Sequence, residues 1–321
     1  MSTPPADGRS GQPASGPLTI RALTDADARA VFTSLADPGL VGRPLLGRPY
    51  ATLREGGEYR PEWTFVAERA GAVVARAAFF GAPDDAAPVV LDWFDLAPGE
   101  HAAGAELLRA APFRVEFELV LPPGWQDQPR VRAAAEARIA AAADAGYVPL
   151  VERYRYEWAP ERGLPRRHPG RLAFRSARDD EEVLDVLRRV MTGTLDAHAL
   201  RAIEEGGVEQ AAREDLAHLQ WMTSPRAWWQ VAHTPDGELA GLHVPGRIPS
   251  GHAAAFIGVV PEQRGHGYAY DLLAECTHLL AAEGAERIAA STDTGNAPMA
   301  AAFARAGYPV VQHRYCMTPP G

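Results

Sequence analysis

Short apolar runs along the chain are separated by polar turns and alternate with longer segments whose apolar residues recur at helical spacing. Over 181–191, for example, Val183, Leu184, Val186 and Leu187 fall on one broad face of a helix. In the C-terminal half the pattern predicts strands at 172–176, 228–233, 239–244, 253–260, 287–292 and 308–317 and helices at 181–191, 209–221, 267–282 and 298–305. Strands come first and then alternate with helices, which predicts an α+β (mixed α/β) fold.

The two halves of the chain repeat one pattern. Residues 137–156 and 297–315 each hold an Ala-rich helix, a Gly-Tyr pair beginning at Gly146 or Gly307, and then a strand. Glycine suits the position after a helix, where a positive φ costs it little. Both halves also open with a short strand (18–22 or 172–176) and then an acidic helix start at Asp25 or Asp179. The shared order indicates a duplication, and hence tandem domains rather than a solenoid.

The composition of the connecting segments predicts the domain limits. A stretch rich in Pro, Gly and Arg, 159–170, breaks regular structure and is interpreted as a linker. We expect a disordered Pro/Gly/Ser-rich tail over 1–17, a first domain over 18–158 and a second over 171–321.

Composition and charge exclude several function classes. The 321 residues carry a net charge of −9, and every basic residue other than histidine is an arginine. No basic stripe marks a nucleic-acid surface, and no catalytic lysine is available. No apolar run approaches the ~20 residues of a membrane span, and the N-terminus has no secretory h-region. The two cysteines stand in no C-x-x-C pattern, so we expect no metal site, a reducing compartment and a cytoplasmic location.

The sharpest local motif is an Arg/Gly-rich turn between a strand that ends at Val260 and a helix that begins near Gly267. The first turn of a helix presents unpaired N–H groups and the positive end of the helix dipole. Gly265 and Gly267 have no Cβ, so an anion can approach the backbone, and Arg264 can add a charge-assisted contact. These features predict a phosphate or pyrophosphate cradle; the alternative is a plain, tight strand-to-helix connection.

The segment 259–269 resembles the acetyl-CoA pyrophosphate loop of the GCN5-related N-acetyltransferases (GNAT). The pattern of that family is Arg or Gln, two residues, Gly, one residue, then Gly or Ala, and Arg264, Gly267 and Ala269 fill it. Downstream, 296–308 is similar to the second signature of the family: an Asn before a helix, an aromatic residue seven positions on, and a closing Gly-Tyr. The resemblance covers about residues 172 to 317.

The resemblance implies two GNAT-like domains in tandem, each with a mixed, mostly antiparallel central sheet flanked by helices. Coenzyme A would enter a V-shaped opening between the strand that ends at Val259 and the strand 287–292. Asn296 would hold the pantetheine arm, or cap its helix, and Phe303 would pack against the arm. The other implied contacts are pantetheine on the backbone of Ile257, Gly258 and Val259, and pyrophosphate on Arg264, Gly265, His266, Gly267, Tyr268 and Ala269.

The reaction implied is direct transfer of an acetyl group from acetyl-CoA to the primary amine of a small molecule or peptide. The sequence departs from the family at both proton-transfer positions, since Ala253 replaces a frequent Glu and Phe303 a frequent Tyr. We therefore consider His243 and Asp293 as substitutes for the base. The alternatives are a rim or core histidine and a turn or cap carboxylate. Tyr315 and Cys316 on the last strand are candidates for the acid.

The first half keeps less of the motif. After a strand over 88–96, Gly99 and Gly104 remain, but the loop has no Arg and Glu100 would repel an anion. We therefore expect a degenerate domain that has lost CoA binding. Two readings of the whole chain stay open, an N-acetyltransferase and a CoA-binding or sensing module without efficient transfer. Acyl transfer to a hydroxyl group or from a longer acyl-CoA is a third. In each case we expect the partner to be a small molecule or peptide, not nucleic acid or a membrane, and the protein to be a monomer or homodimer.

Overall fold

The computed structural model describes residues 16–248 and 251–321, which divide into two compact units. Unit 1 comprises residues up to Leu150 and Arg314–Gly321, and unit 2 comprises Val151–His313. These limits differ from the predicted ones. The chain passes from unit 1 to unit 2 after Leu150 and returns to unit 1 at Arg314, each time within a strand, and not in the linker 159–170. Of the predicted tail, only Gly16 and Pro17 belong to the described residues.

Unit 1 is built around strands β1 to β5 in sequential order, and β12, whose residues from Arg314 onward belong to this unit, lies next to β5. Pairs β1/β2, β2/β3 and β3/β4 are antiparallel, and β4/β5 is parallel. The elements are β1 (Leu18–Ala22), α1 (Ala28–Phe32), β2 (Thr64–Arg69), β3 (Ala72–Phe80), β4 (Val90–Leu96), α2 (His101–Ala110), β5 (Glu116–Leu121) and α3 (Pro129–Asp144).

A buried carboxylate joins three elements of unit 1. Asp95 on β4 pairs with Arg76 on β3 and with Arg138 on α3, each at 2.8 Å. The pKa of Asp95 is lowered although burial opposes this, since the two guanidinium groups favour its charged form. Removal of one partner would leave a buried charge without compensation, so this group fixes how α3 packs on the sheet.

Unit 2 has the strand order β6-β11-β10-β9-β8-β7. The β10/β11 pair is parallel, and β7/β8, β8/β9, β9/β10 and β6/β11 are antiparallel. The elements, with β12 continuing into unit 1, are β6 (Val148–Trp158), β7 (Ala173–Ser176), α4 (Asp180–Met191), α5 (Ala197–Trp221), β8 (Gln230–His233), β9 (Leu239–Ile248), β10 (Gly251–Val259), α6 (Tyr268–Ala282), β11 (Ile288–Asp293), α7 (Ala297–Arg305) and β12 (Val310–Thr318). The predicted α+β fold with a mostly antiparallel sheet is confirmed.

Helices cover both faces of the sheet in unit 2. Helix α4 starts at an N-cap, where the Asp179 carboxylate accepts from the Glu182 amide at 2.8 Å. The side chain of Val190 on α4 approaches Gly258 of β10 from one face of the sheet. Leu272 of α6 approaches Gly241 of β9 from the other face. No helix in the described ranges is both long enough and apolar enough to cross a bilayer.

Candidate active site

Strands β10 and β11 diverge into a gap. They pair only where they start, at His252↔Ile288 and Ala253↔Ala289, although β10 continues to Val259. The register of β10 against β9 shifts between Ala254 and Phe256, a bulge that bends the strand. Beyond Ala253 the edge of β10 that faces β11 therefore lacks a ladder partner. This edge includes Ile257, Gly258 and Val259.

The loop after β10 presents a row of unpaired backbone amides. None of the N–H groups of residues 265–269 donates to another group within the described part of the chain. Gly265 and Gly267 have φ of +83° and +78°, and Tyr268 begins α6 directly after them. A Cβ placed on Gly265 would meet nothing within 4 Å, so the space beside this residue is open. Unpaired amides at the positive end of a helix dipole form an anion-binding site.

The guanidinium of Arg264 is not directed at this open space. It donates to the carbonyl oxygens of Val190, Thr192 and Gly193 at 2.7, 2.8 and 2.9 Å, and to that of Val259 at 3.3 Å. The carbonyls of Val190, Thr192 and Gly193 lie at the end of α4, where a cation is favoured by the helix dipole. In this arrangement Arg264 holds the loop against α4 and does not extend toward an anion, contrary to the predicted contact.

Two other arginines lie beside the loop. Arg171 donates to the carbonyl oxygen of His266 at 2.6 Å and pairs with Asp271 at 3.0 Å. Its Nη2 atom and the Nη1 atom of Arg305 are each 3.9 Å from the point where a Cβ on Gly267 would lie. These guanidinium groups supply the positive charge that sequence reasoning assigned to Arg264. No local motif marks them, because one follows the linker and the other ends α7.

Asn296 takes the capping place that the sequence left open, whereas Phe303, predicted to pack against the pantetheine arm, lies in the core. The Asn296 side chain caps α7 by accepting from the Met299 amide at 3.2 Å, which confirms the cap reading, and its own NH₂ group donates to no other described residue. The ring of Phe303 is stacked on Tyr156, with centroids 4.3 Å apart, and the residue is 2% exposed. Phe303 is therefore a core residue here and not part of an open surface. Tyr268 lies half-buried against His266, with ring centroids 5.6 Å apart.

His243 is poorly placed to act as a base. It pairs with Ile257 across β9 and β10, on the α6 side of the sheet, and is fully buried. Burial lowers its pKa to about 3, and its Nε2 atom lies 3.0 Å from Oε1 of Gln230. A neutral imidazole enclosed in the core can neither reach an amine nor hold its proton at neutral pH, which argues against the predicted role.

Asp293, at the end of β11, fastens the start of α5 to the sheet. Its Oδ2 atom accepts from the Ala197 amide at 2.7 Å, and its Oδ1 atom lies 3.0 Å from Nε of Arg153. Burial raises its pKa. The carboxylate thus combines an anchoring role with the chemistry of a weak base.

Sequence reasoning missed Asp215, a second carboxyl group with altered acidity. Burial first, and then the charges of Asp196 and Glu214, raise its pKa to about 6. It forms no hydrogen bond or ion pair with any residue that the structure describes. Asp215 lies on α5, and the first amide of this helix donates to Asp293. The C-cap of α5, Met222, lies near the bulge of β10. A Cβ on Gly246 would lie 3.0 Å from both Met222 Sδ and Ala255 Cβ.

Unit 1 repeats the divergence but not the open cradle. Strands β4 and β5 pair only at Val90↔Glu116 and Leu91↔Phe117. At the start of α2, Glu100 is 5% exposed and pairs with Arg69 at 3.2 Å. A carboxylate therefore occupies the place where an anion would bind.

Residues 196–308, all within unit 2, match the model of the acetyltransferase (GNAT) family. Among solved structures, a GCN5-related N-acetyltransferase from Sphaerobacter thermophilus is 15% identical, with a TM-score of 0.56, over 96% of this chain and 98% of that chain. The glucosamine N-acetyltransferase region of a fungal multi-domain β-N-acetylglucosaminidase is 13% identical, with a TM-score of 0.51, over 95% of this chain and 38% of that one. A tandem GNAT protein of clavulanic acid biosynthesis is 19% identical, with a TM-score of 0.45, over 94% of this chain and 98% of that chain. No curated protein matches the sequence.

The two structures with the higher TM-scores show that the chain has their fold over nearly its whole length. Residues 196–308 of unit 2 are similar to the GNAT acetyltransferases, and this match supports acyl transfer by that unit.

Proposed function

We propose that unit 2 transfers an acetyl group from acetyl-CoA to a primary amine of a small molecule or peptide. The observation that carries the proposal is the row of unpaired amides at 265–269, which lies directly after the unpaired edge of β10. Together they fit a diphosphate followed by an amide-bearing arm, because an extended chain can pair with a free strand edge. Arg171 and Arg305 add positive charge beside the diphosphate.

The reaction needs a neutral amine and a place for the charge that develops. The amine nitrogen attacks the thioester carbonyl carbon, the C–S bond breaks, and the CoA thiolate leaves with the electron pair. Backbone N–H groups on the free edge of β10 would stabilise the oxyanion. Holding both reactants in the gap supplies orientation. As the amide forms, its nitrogen releases a proton to solvent, and the thiolate takes a proton from solvent.

Asp215 is the group best suited to accept the proton of the ammonium. A carboxyl group with a pKa of about 6 is mostly ionised at neutral pH and still basic enough to act in catalysis. Asp293 is the second candidate, although Arg153 and the Ala197 amide already bind its oxygens. Water between the carboxylate and the amine would extend the reach of either group.

The test uses two glycines with the same backbone strain. Gly265 and Gly237 have φ of +83° and +84°, and a Cβ on either would meet nothing within 4 Å. Gly265→Ala puts a methyl group in front of the amides, whereas Gly237→Ala changes a hairpin turn between β8 and β9. We expect calorimetry to show acetyl-CoA binding weakened at least about tenfold by Gly265→Ala and unchanged by Gly237→Ala. Equal acetyl-CoA affinities of the two variants would contradict an anion-binding site at residues 265–269.

A second measurement separates an enzyme from a binding module. Ala253 and Phe303 offer no proton-transfer group at the expected positions, which favours a module without transfer as the alternative. Release of CoA from acetyl-CoA is followed with a panel of primary amines. Release above the rate of hydrolysis supports transfer, and tight acetyl-CoA binding without release supports the module.

A further inference from the structure

A row of charged side chains lies on one face of β6 and β11. The pairings Arg153↔Asp293, Arg155↔Ser291 and Glu157↔Ala289 put these side chains on the same side of the sheet, since paired residues share a face. Helix α5 starts on this side, because its first amide donates to Asp293. The opposite face carries Tyr156, which packs on Phe303 of α7.

Arg155 is the one guanidinium of this row that forms no ion pair with a described residue; the opposite charge that acts on it is that of Glu157. Arg153 pairs with Asp196 at 3.3 Å and with Asp293 at 3.0 Å. Glu157 pairs with Arg287 at 3.1 Å on its other side. Arg155 has one hydrogen bond, from its Nη1 atom to Oγ of Ser291 at 3.4 Å.

The surroundings of Arg155 make an unpaired charge unfavourable. Burial lowers its pKa; the charge of nearby Glu157 opposes this shift, and that of Arg153 adds to it. A partly buried guanidinium whose one acceptor is a hydroxyl group at 3.4 Å loses hydration that this single hydrogen bond does not replace. Four of its five N–H donors remain for a ligand, and they form a planar fork that matches a carboxylate.

This group lies beside the gap that the acetyl thioester would enter. Ser291 comes two residues after Ala289, the last residue of β11 that pairs with β10, and the two side chains share a face. Arg155 reaches this serine from the next strand, β6. Ala253, paired with Ala289, lies on the same face, at the level where the strands separate.

We propose that Arg155, assisted by the hydroxyl group of Ser291, binds a carboxylate carried by the acceptor. The acceptor class would then be primary amines that also bear a carboxylate, such as amino acids. Anchoring one end of such a molecule orients its amine toward the thioester. The proposal rests on the proposed function, because it names the acceptor of the same site.

The experiment compares matched acceptors and matched variants. Amino acids with amine and carboxylate at increasing separation, and their carboxamides, are tested for CoA release. We expect the wild-type protein to prefer the carboxylates, and Arg155→Gln to lower kcat/KM for them by about 10- to 100-fold, mainly through KM. Carboxamides should react equally with both proteins. Arg287→Gln, which changes an exposed arginine just before the start of β11, should behave as the wild type does.

Two outcomes would overturn the proposal. One is a wild-type protein that prefers carboxamides or phosphate-bearing amines over carboxylates. The other is an equal loss for both acceptors in Arg155→Gln, through kcat, which would place the guanidinium at the oxyanion or the thiolate. Arg155→Lys retains the charge without the fork, so it keeps the experiment informative if Arg155→Gln does not fold. We expect it to lose rate selectively on carboxylates.

Failure of the proposed function has a different signature. If no amine releases CoA, amino acids are titrated by calorimetry into the CoA-loaded wild-type protein and the Arg155 variants. Binding that depends on Arg155 would support the carboxylate site in a protein that does not transfer. No binding would overturn it.

Discussion

The guanidinium of Arg264 donates a 2.8 Å hydrogen bond to the carbonyl oxygen of Thr192, the residue that caps the end of α4. The arginine of the loop motif thereby connects the open amides at 265–269 to a helix on one face of the sheet. Its contribution to anion binding would then be indirect: it fixes the loop in the conformation that leaves those amides unpaired.

Arg264→Gln is therefore expected to affect stability as well as binding. Loss of several charge-assisted bonds to carbonyls should lower the free energy of unfolding by about 1–3 kcal/mol. Acetyl-CoA affinity should fall too, because the loop is no longer held. Urea denaturation and calorimetry measure the two effects.

The matched control for this arginine is Arg189→Gln. Arg189 lies on the same helix end and pairs with Glu262 at 3.3 Å on the surface, so its loss should cost less than about 1 kcal/mol. If Arg264→Gln weakened acetyl-CoA binding with no loss of stability, direct contact between its side chain and the phosphate would be the better account.

Local patterns predicted most of the elements of unit 2 but not the interactions between them. The apolar face of α4 and the Gly-Tyr ending after α7 are properties of short segments, and both agree with the structure: Gly307 has a φ of +80°. Arg171 and Arg305 are brought to the loop by tertiary packing from two distant segments. The sequence contains no spacing that reports this.

Helix α5 shows where periodicity fails. The prediction began at residue 209, but the helix runs from Ala197 to Trp221, with a break at Gly207, where φ is +80°. Adjacent glycines and a polar face conceal its first half. Its N-cap, Asp196, accepts from the Ala199 amide at 3.0 Å, a signal that the sequence did contain. Asp215, on the second half, could not be distinguished from a surface carboxylate without knowledge of its burial.

His243 should make folding sensitive to acid without contributing to catalysis. In the unfolded chain its imidazole takes up a proton near pH 6.5, whereas burial lowers the folded pKa to about 3. Between these values the unfolded state binds more protons, so the free energy of unfolding falls as the pH falls, by at most about 1.4 kcal/mol per pH unit from this group.

The test of this histidine is His243→Leu. Urea denaturation at pH 7 and pH 4.5 should show a smaller difference between the two pH values for the variant than for the wild type. The shape of the pH–rate profile should stay the same, since the group is enclosed on the α6 side of the sheet. If His243→Leu lost the acidic limb of that profile, His243 would instead be the base.

Asp215 should set the acidic limb of the reaction. A base must be ionised to accept a proton, and the pKa of this carboxyl group is about 6. The rate kcat/KM is therefore expected to fall as the pH drops through about 6 and to level off above it. Asp215→Asn should lower kcat by about 10²-fold or more and remove that limb, because an amide cannot take up the proton.

The adjacent residue supplies the control for Asp215. Glu214 is exposed and its carboxylate accepts from Gln210 at 2.8 Å, so Glu214→Gln removes one charge from the same turn of α5 without touching the proposed base. We expect it to keep the rate at neutral pH and to retain the limb, shifted to lower pH because the charge of Glu214 no longer raises the pKa of Asp215. If Asp215→Asn kept the limb while Asp293→Asn lost it, the base would be Asp293, and the unpartnered carboxyl group of α5 would have no part in proton transfer.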